Sequence, residues 1–276
     1  MNESVSPHTW RGVPDPVRHA VTWRHAPRLA LRLVAVLLNT LLLLVPYVLL
    51  RLVDLMVPSR QRSTCIARLW ARVNLEIIGL RLDCRGQLAT KALVFVANHS
   101  TWLDIWALQA VLPGYFVAKS EVRSWPLIGF LARLSGAEFI QRNRRHSAKH
   151  TNRLRERLEL GHGLCFFPEG TSTDGLRVLP FKSTLFAAVF EYGQHTNLQV
   201  QPVSVRYQAD PSLPAHFYAL WGGMSLFHHL ISVLSHSRHG KLEIVLHKPV
   251  KAQNFIDRKE LSLYCEQTVR KGLEQS

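Results

Sequence analysis

Leu93-Val94-Phe95-Val96-Ala97-Asn98-His99-Ser100-Thr101-Trp102-Leu103-Asp104 is the stretch on which the fold turns. The apolar run Leu93 to Ala97 reads as a strand buried on both faces, the pattern of a sheet covered by helices. It breaks at Asn98, so His99 stands where a strand empties into a loop, the place where α/β sheets carry their ligand sites. On one continuous helix, residues five apart point roughly 140° away from each other. His99 and Asp104 therefore meet only if His99 precedes the helix and Asp104 lies within its start. Two readings are open at this point. In one, Ser100 or Thr101 caps the helix and Asp104 sits in a first turn where the dipole favours it. In the other, the carboxylate reaches the imidazole, fixes its tautomer and leaves the second ring nitrogen as a general base.

A second strand ends the same way. Leu164 to Phe167 runs into Pro168-Glu169-Gly170-Thr171-Ser172-Thr173-Asp174-Gly175, where two glycines permit positive φ and close backbone approach while Thr171 and Ser172 offer hydroxyls and amides. Around these two loops the chain alternates. Strands are predicted near Leu80 to Cys84, Tyr115 to Ala118, Glu138 to Ile140, Leu198 to Tyr207 and Leu242 to Leu246. Helices are predicted near Leu103 to Val111, Ser147 to Leu160, Ser183 to Tyr192 and Lys259 to Leu273. The class is α/β: a single domain over residues 81–276, with a central mixed sheet flanked by helices.

The part before that domain has a different character. Leu33 to Leu50 is eighteen uncharged residues, mostly Leu and Val and broken by Asn39, Thr40 and Pro46. That is the lower limit for crossing about 30 Å of hydrocarbon. Arg24, Arg28 and Arg32 precede it and Arg51, Arg60 and Arg62 follow, so the positive-inside rule gives no orientation. The symmetry suits a membrane-binding helix pair dipping into one leaflet, with a buried core helix as the alternative. A second helix, Ser63 to about Leu80, either lies on the bilayer or caps the sheet. Residues 31–80 are read as this membrane-associating segment and residues 1–30 as a flexible basic N-terminus. Thirty-four Lys and Arg against nineteen Asp and Glu leave an excess of fifteen positive charges, which fits nucleic acid, anionic lipid or an acidic partner. The apolar run favours lipid over nucleic acid. Cys65, Cys84, Cys165 and Cys265 form no C-x-x-C pair and read as reduced, mostly buried thiols in a cytosolic setting. His228 and His229 lack ligand-spaced partners and read as surface or interface residues, and no metal is expected.

Taken together, the blocks resemble the glycerolipid acyltransferases, the family of 1-acylglycerol-3-phosphate and related lysolipid O-acyltransferases. The family's H-x-x-x-x-D stands at His99 to Asp104 and its F-P-E-G-T-R at Phe167 to Ser172. Gly136 to Arg142 is similar to its second block and Gln201-Pro202-Val203 to its fourth. The chain departs at Ser172, where phosphatidate-forming members carry an arginine associated with the acceptor's phosphate. A serine hydroxyl cannot supply that charged, bidentate contact. The longer string through Gly175, with Leu179 to Ser183 after it, resembles the branch that acylates lyso-ornithine lipid. Arg142, Arg144, Arg145 or Lys182 can replace the missing arginine, which keeps lysophosphatidate open as acceptor.

The resemblance implies a membrane enzyme at the cytoplasmic face of the inner membrane. Its donor is a fatty acyl thioester on acyl carrier protein or coenzyme A, and it uses no cofactor. An acyl thioester is already activated, so the protein has only to deprotonate a lysolipid hydroxyl and stabilise the oxyanion. His99 is assigned as base and Asp104 as its orienter, with amides near Gly170 and Thr171 as oxyanion donors. Glu169 would hold the acceptor or the loop unless it faces solvent. Lys119 and Glu121 resemble family residues near the acceptor site, and Arg142 to Arg145 suit a phosphate or lipid head groups. No G-x-S-x-G elbow is present. A lysophospholipase shares such a site but needs water as acceptor. A membrane-tethered binding module explains the charge and anchor and leaves the His-Asp pair unused.

Overall fold

The computed structural model describes residues 10–14, 23–57, 61–90, 92–125, 128–140 and 147–274. Helices α1 (Ala26–Met56) and α2 (Ser63–Ile78) precede strands β1 (Arg81–Gly86) and β2 (Ala92–Ala97). There follow α3 (Leu103–Gln109), β3 (Tyr115–Lys119), α4 (Ile128–Leu134), β4 (Glu138–Ile140), α5 (Ser147–Glu159) and β5 (Leu164–Phe166). The chain closes with α6 (Ala187–Gln194), β6 (Gln199–Gln208), α7 (Leu226–Ser235), β7 (Lys241–Leu246), β8 (Val250–Lys251) and α8 (Arg258–Glu274).

The strands form one sheet in the order β1-β7-β6-β2-β5-β3-β4, with β8 paired to β6. The run from β6 to β4 is parallel, while β7 returns antiparallel to β6 and β1 lies parallel to β7, so the sheet is mixed as expected. Alternation along β2 divides the core. Phe95 and Ala97 join Leu103 and Leu108 of α3 and Leu75 and Ile78 of α2 on one face. Val94 and Val96 join Leu158 of α5, Val189 of α6 and Leu261 of α8 on the other.

This layout makes the site. From β2 the chain crosses through α3 to β3, and from β5 it crosses back through α6 to β6, in opposite directions along the sheet. Right-handed crossovers in opposite directions lay their helices on opposite faces. The gap between neighbours β2 and β5 is therefore a topological switch point, and both loops singled out in the sequence open into it.

Several expectations change. Helix α1 runs from Ala26 to Met56, well past the apolar run, because the polar residues near its ends point at the protein. Arg28 and Arg32 donate to the carbonyls of Ser235 and of Leu234 and His236 at the end of α7, and Arg51 donates to the Tyr115 hydroxyl. Of the two placements open to α2, capping the sheet is observed. Helices α4 and α7 and strand β8 were not anticipated. Cys165 and Cys265 are buried, but Cys65, in the first turn of α2, and Cys84, on edge strand β1, are exposed. His228 is exposed, whereas His229 is buried. Within the segment read as a flexible N-terminus, residues 1–9 and 15–22 lie outside the described residues, Trp10 is hydrogen-bonded to the domain, and α1 begins at Ala26.

Candidate active site

Strand β2 pairs with β6 as far as Ala97 and Val203. One step beyond, Asn98 extends the pairing with its side chain: its amide donates to the Val205 carbonyl (2.9 Å) and its oxygen accepts the Val205 N–H (2.8 Å). The end of β2 is thus fixed before the chain turns. Helix α3 starts at Leu103 with Trp102 at the cap and no side-chain cap bond there, so neither Ser100 nor Thr101 is the N-cap. Asp104 does that work from inside the first turn. Its Oδ2 accepts the Ser100 and Thr101 N–H groups at 2.7 and 3.0 Å and also meets His99 Nδ1 at 2.7 Å. Its Oδ1 accepts the Tyr207 hydroxyl at 2.9 Å. The side chain of Asp104 is 0% exposed and that of His99 24%. The carboxylate therefore bears out the second reading and corrects the first: Asp104, not Ser100 or Thr101, ties down the helix start, and it also holds the imidazole.

The loop after β5 supports His99 from the other side. Phe167 stacks on the imidazole, ring centroids 4.2 Å apart and planes 19° from parallel. Glu169 is buried and does not face solvent. It accepts the His99 N–H on Oε1 (2.7 Å) and the Leu179 N–H on Oε2 (2.8 Å), so it links the two loops through their backbones. Burial pushes its carboxyl up to about 8, opposed by those two amide bonds. The Thr173 N–H donates to the His99 carbonyl at 3.1 Å and the Leu220 N–H to the Ser100 carbonyl at 2.8 Å. Gly175 has φ 76°, and a Cβ there would stand 3.3 Å from the Ser100 Cβ, so the loops close on one another where a side chain would intrude.

Other expected site residues are placed differently. The Gly170 N–H donates to the Phe167 carbonyl at 3.0 Å, which removes it as an oxyanion donor. The Thr171 hydroxyl accepts the Trp10 N–H at 3.3 Å. The Ser172 hydroxyl donates to the Leu220 carbonyl. Lys119 ends β3, at the same sheet edge as His99. Lys182 is exposed, and its N–H bonds the Pro168 carbonyl at 2.9 Å. Arg142, Arg144 and Arg145 lie outside the described residues. Sequence reasoning missed Tyr207, Phe167, Asn98 and Trp10. Asn98, a lone amide at the end of an apolar strand, and Phe167, which opens the F-P-E-G-T block, left local signals.

With Nδ1 turned to a carboxylate, the neutral imidazole carries its proton there, and the described residues give Nε2 no hydrogen bond. That nitrogen can accept a proton from a hydroxyl. The neighbouring thiol is no competitor, since burial pushes Cys165 far up. Among the described residues no group of three His, Cys, Asp or Glu is arranged to hold a metal ion.

The fold and this pair of loops define a class: an α/β protein with a His-Asp pair at the switch point of a mixed sheet. The family model described as Acyltransferase matches residues 81–206. The chain is 41% identical to the lyso-ornithine lipid O-acyltransferase of Rhodobacter capsulatus, over 96% of this chain and 97% of that one. It is 38% identical to the protein of the same name from Pseudomonas aeruginosa, over 78% and 80%. It is also 37% identical to the 1-acyl-sn-glycerol-3-phosphate acyltransferase of Neisseria gonorrhoeae, over 54% and 57%. The crystal structure of the 1-acyl-sn-glycerophosphate acyltransferase from Thermotoga maritima superposes with a TM-score of 0.66 over 91% of this chain and 97% of that one, at 22% identity, and shares the fold. The chain belongs to the acyltransferase family and is an acyltransferase acting on lysolipids.

Proposed function

We propose that the enzyme moves a fatty acyl group from a thioester, carried on acyl carrier protein or coenzyme A, to the free hydroxyl of lyso-ornithine lipid. The observation that carries the mechanism is the 2.7 Å contact between His99 Nδ1 and the buried Asp104, which leaves Nε2 as the base. As the hydroxyl attacks the thioester carbonyl its proton passes to Nε2, and the imidazolium is stabilised by Asp104. The thiolate leaves when the tetrahedral oxyanion collapses. With the Gly170 amide engaged, the Thr171 amide is the oxyanion donor that remains of the two. Glu169 acts by holding the loops together. Lys119, Lys182 and Arg142 are assigned to the anionic groups of donor and lipid surface.

The acceptor reading rests on Ser172, whose short side chain is engaged with the Leu220 carbonyl and projects no cation. The relatives of matching length named for lyso-ornithine lipid support it.

Helix α1 supports membrane attachment. Its outward face carries exposed Leu31, Leu38, Leu42, Val45, Leu49 and Leu52, spaced by three, four and seven residues. Its inward face is tied to the domain from Arg28 to Arg51, roughly 35 Å along the helix. A helix held at both ends against one domain lies along the bilayer surface and does not cross it. The family resemblance, and not the helix geometry, supports placing the site at the cytoplasmic side of the inner membrane.

The test is acyl transfer from one labelled thioester to lyso-ornithine lipid and to lysophosphatidate under the same detergent and salt. Preference for lyso-ornithine lipid is expected. Transfer to lysophosphatidate alone would overturn the acceptor and return the chain to phosphatidate synthesis.

A further inference from the structure

The loop that lacks a cation at Ser172 carries one five residues later, and its backbone is tethered to the base. The Thr173 hydroxyl lies 3.4 Å from the His99 carbonyl and 3.3 Å from the Arg177 carbonyl, and its N–H bonds the former. On the other side of Arg177, Leu179 shares the Glu169 carboxylate with His99. Arg177 thus lies between Thr173, which bonds the His99 carbonyl, and Leu179, which is linked to the His99 N–H through the Glu169 carboxylate.

Its guanidinium is held on one edge and one face. Nε and Nη2 engage the buried Asp174 at 3.2 and 2.8 Å. The guanidinium carbon sits 5.2 Å from the centre of the Trp10 ring. Trp10 is itself fixed at its backbone, donating to the Thr171 hydroxyl (3.3 Å) and accepting from the Gly222 N–H (3.2 Å). The described residues give Nη1 no partner, and the side chain is 46% exposed. An arginine pinned along its Nε edge and stacked on an indole presents the remaining Nη1–Nη2 edge in a fixed plane, the geometry that takes a carboxylate through two N–H groups. A partly exposed ion pair with Asp174 does little for stability by itself, so the arrangement is better explained as preorganisation.

The geometry points to Arg177 as the specificity-determining contact for the carboxylate of the acceptor's amino-acid head group, with Trp10 as the positioning residue that holds its plane. This rests on the acceptor reading given above. The head-group anion is met by an arginine delivered from position 177 in place of one at 172.

The test uses the full-length enzyme in detergent with three acceptors: lyso-ornithine lipid, its head-group carboxamide analogue, and lysophosphatidate. The wild type is expected to favour carboxylate over carboxamide by about tenfold in kcat/KM, mostly through KM. In Arg177→Gln that preference collapses towards one, Arg177→Lys keeps part of it, and Trp10→Ala falls between. Retention of the full preference in Arg177→Gln overturns the inference and leaves the acceptor reading standing. Equal losses on both acceptors in Arg177→Gln and Arg177→Lys make the residue a loop strut, which overturns it as well. Wild-type enzyme that acylates lysophosphatidate alone overturns the acceptor reading itself, and the carboxylate contact with it.

Discussion

Asp54 and Asp104 are buried aspartates that both gather backbone N–H groups at the start of a helix, and they end with different duties. Asp54, in the last turn of α1, accepts the Arg62 N–H, the Ser63 N–H and the Ser63 hydroxyl at 2.8, 2.9 and 2.6 Å, so it caps α2 and closes α1 onto it. Asp104 likewise takes two amides, from Ser100 and Thr101, and the hydroxyls of Ser100 and Tyr207, but its remaining donor is the His99 ring. Each carboxylate is kept in a desolvated position because donors surround it. One partner decides between structure and chemistry: a ring that can pass a proton on from its second nitrogen.

The largest effect that sharpens this comparison is at His99. His99→Ala should lower acyl transfer by about 10²- to 10⁴-fold, with sedimentation on vesicles and far-ultraviolet circular dichroism unchanged. Asp104→Asn should also lose turnover, on the order of 10²-fold or more, because an amide can hold the imidazole in the wrong tautomer. Asp54→Asn should lower stability by about 1–3 kcal/mol through an imperfectly satisfied cap, while turnover per folded molecule persists. Equal losses of turnover in the two aspartate variants, measured after correcting for folded fraction by urea titration, would break the distinction.

The two regions also differ in which side faces the solvent. The sheet keeps its apolar residues inside, whereas α1 is reversed. Asn39 donates to Trp70 and Asn74, Thr40 accepts from the Trp70 indole and Tyr47 donates to Leu134, all on the inward face, while its leucines point out. An exposed apolar face of this kind is what the proposed membrane attachment would use. Replacing Leu38 and Leu42, which are 60% and 75% exposed, with Glu together should weaken binding to anionic vesicles by about tenfold or more. Turnover of a short-chain acceptor in detergent should be preserved. Undiminished vesicle binding would shift the anchoring to other surfaces.

What was legible in the sequence follows the range of the interactions. The end of β2 and the start of α3 could be read because an apolar run and its break are local signals. The His99–Asp104 contact was open to derivation because only one geometry lets residues at that spacing meet. Tyr207 was not, since it reaches Asp104 from β6, 103 positions along the chain. Helix α1 read short because arginines and an aspartate look like helix ends when their targets, the carbonyls closing α7 and the amides opening α2, are unknown. Helix α7 was missed although Phe227, Leu230, Val233 and Leu234 suit a helix, because the His228-His229 doublet drew a surface reading and its buried member had no visible partner. That partner is Trp102, whose indole N–H donates to His229 Nδ1 at 3.0 Å.

His229 supplies the smallest effect, and it completes the contrast as a buried histidine without a carboxylate. Its Nδ1 accepts from Trp102 and its Nε2 lies 3.3 Å from the Phe217 carbonyl, so the neutral ring is protonated at Nε2. Burial lowers its pKa to about 4, partly offset by the backbone carbonyls. In the unfolded chain the same ring titrates near 6.5. Between those values the unfolded state binds a proton that the folded state refuses, so stability is complete above pH 6.5 and falls as the pH drops towards 4, by about 3 kcal/mol at most from this group. Gln at this position can accept from Trp102 and donate to Phe217 without titrating. Urea unfolding of wild type and His229→Gln from pH 7 to 4.5 should therefore give a shallower acid loss in the variant, with equal stability near neutrality. His239, lowered to about 4 by burial and by Arg32, continues to titrate in both proteins, so a residual slope is expected. Identical slopes would assign the acid loss to His239 and to His247, which burial also lowers, and leave His229 a neutral strut beneath Trp102.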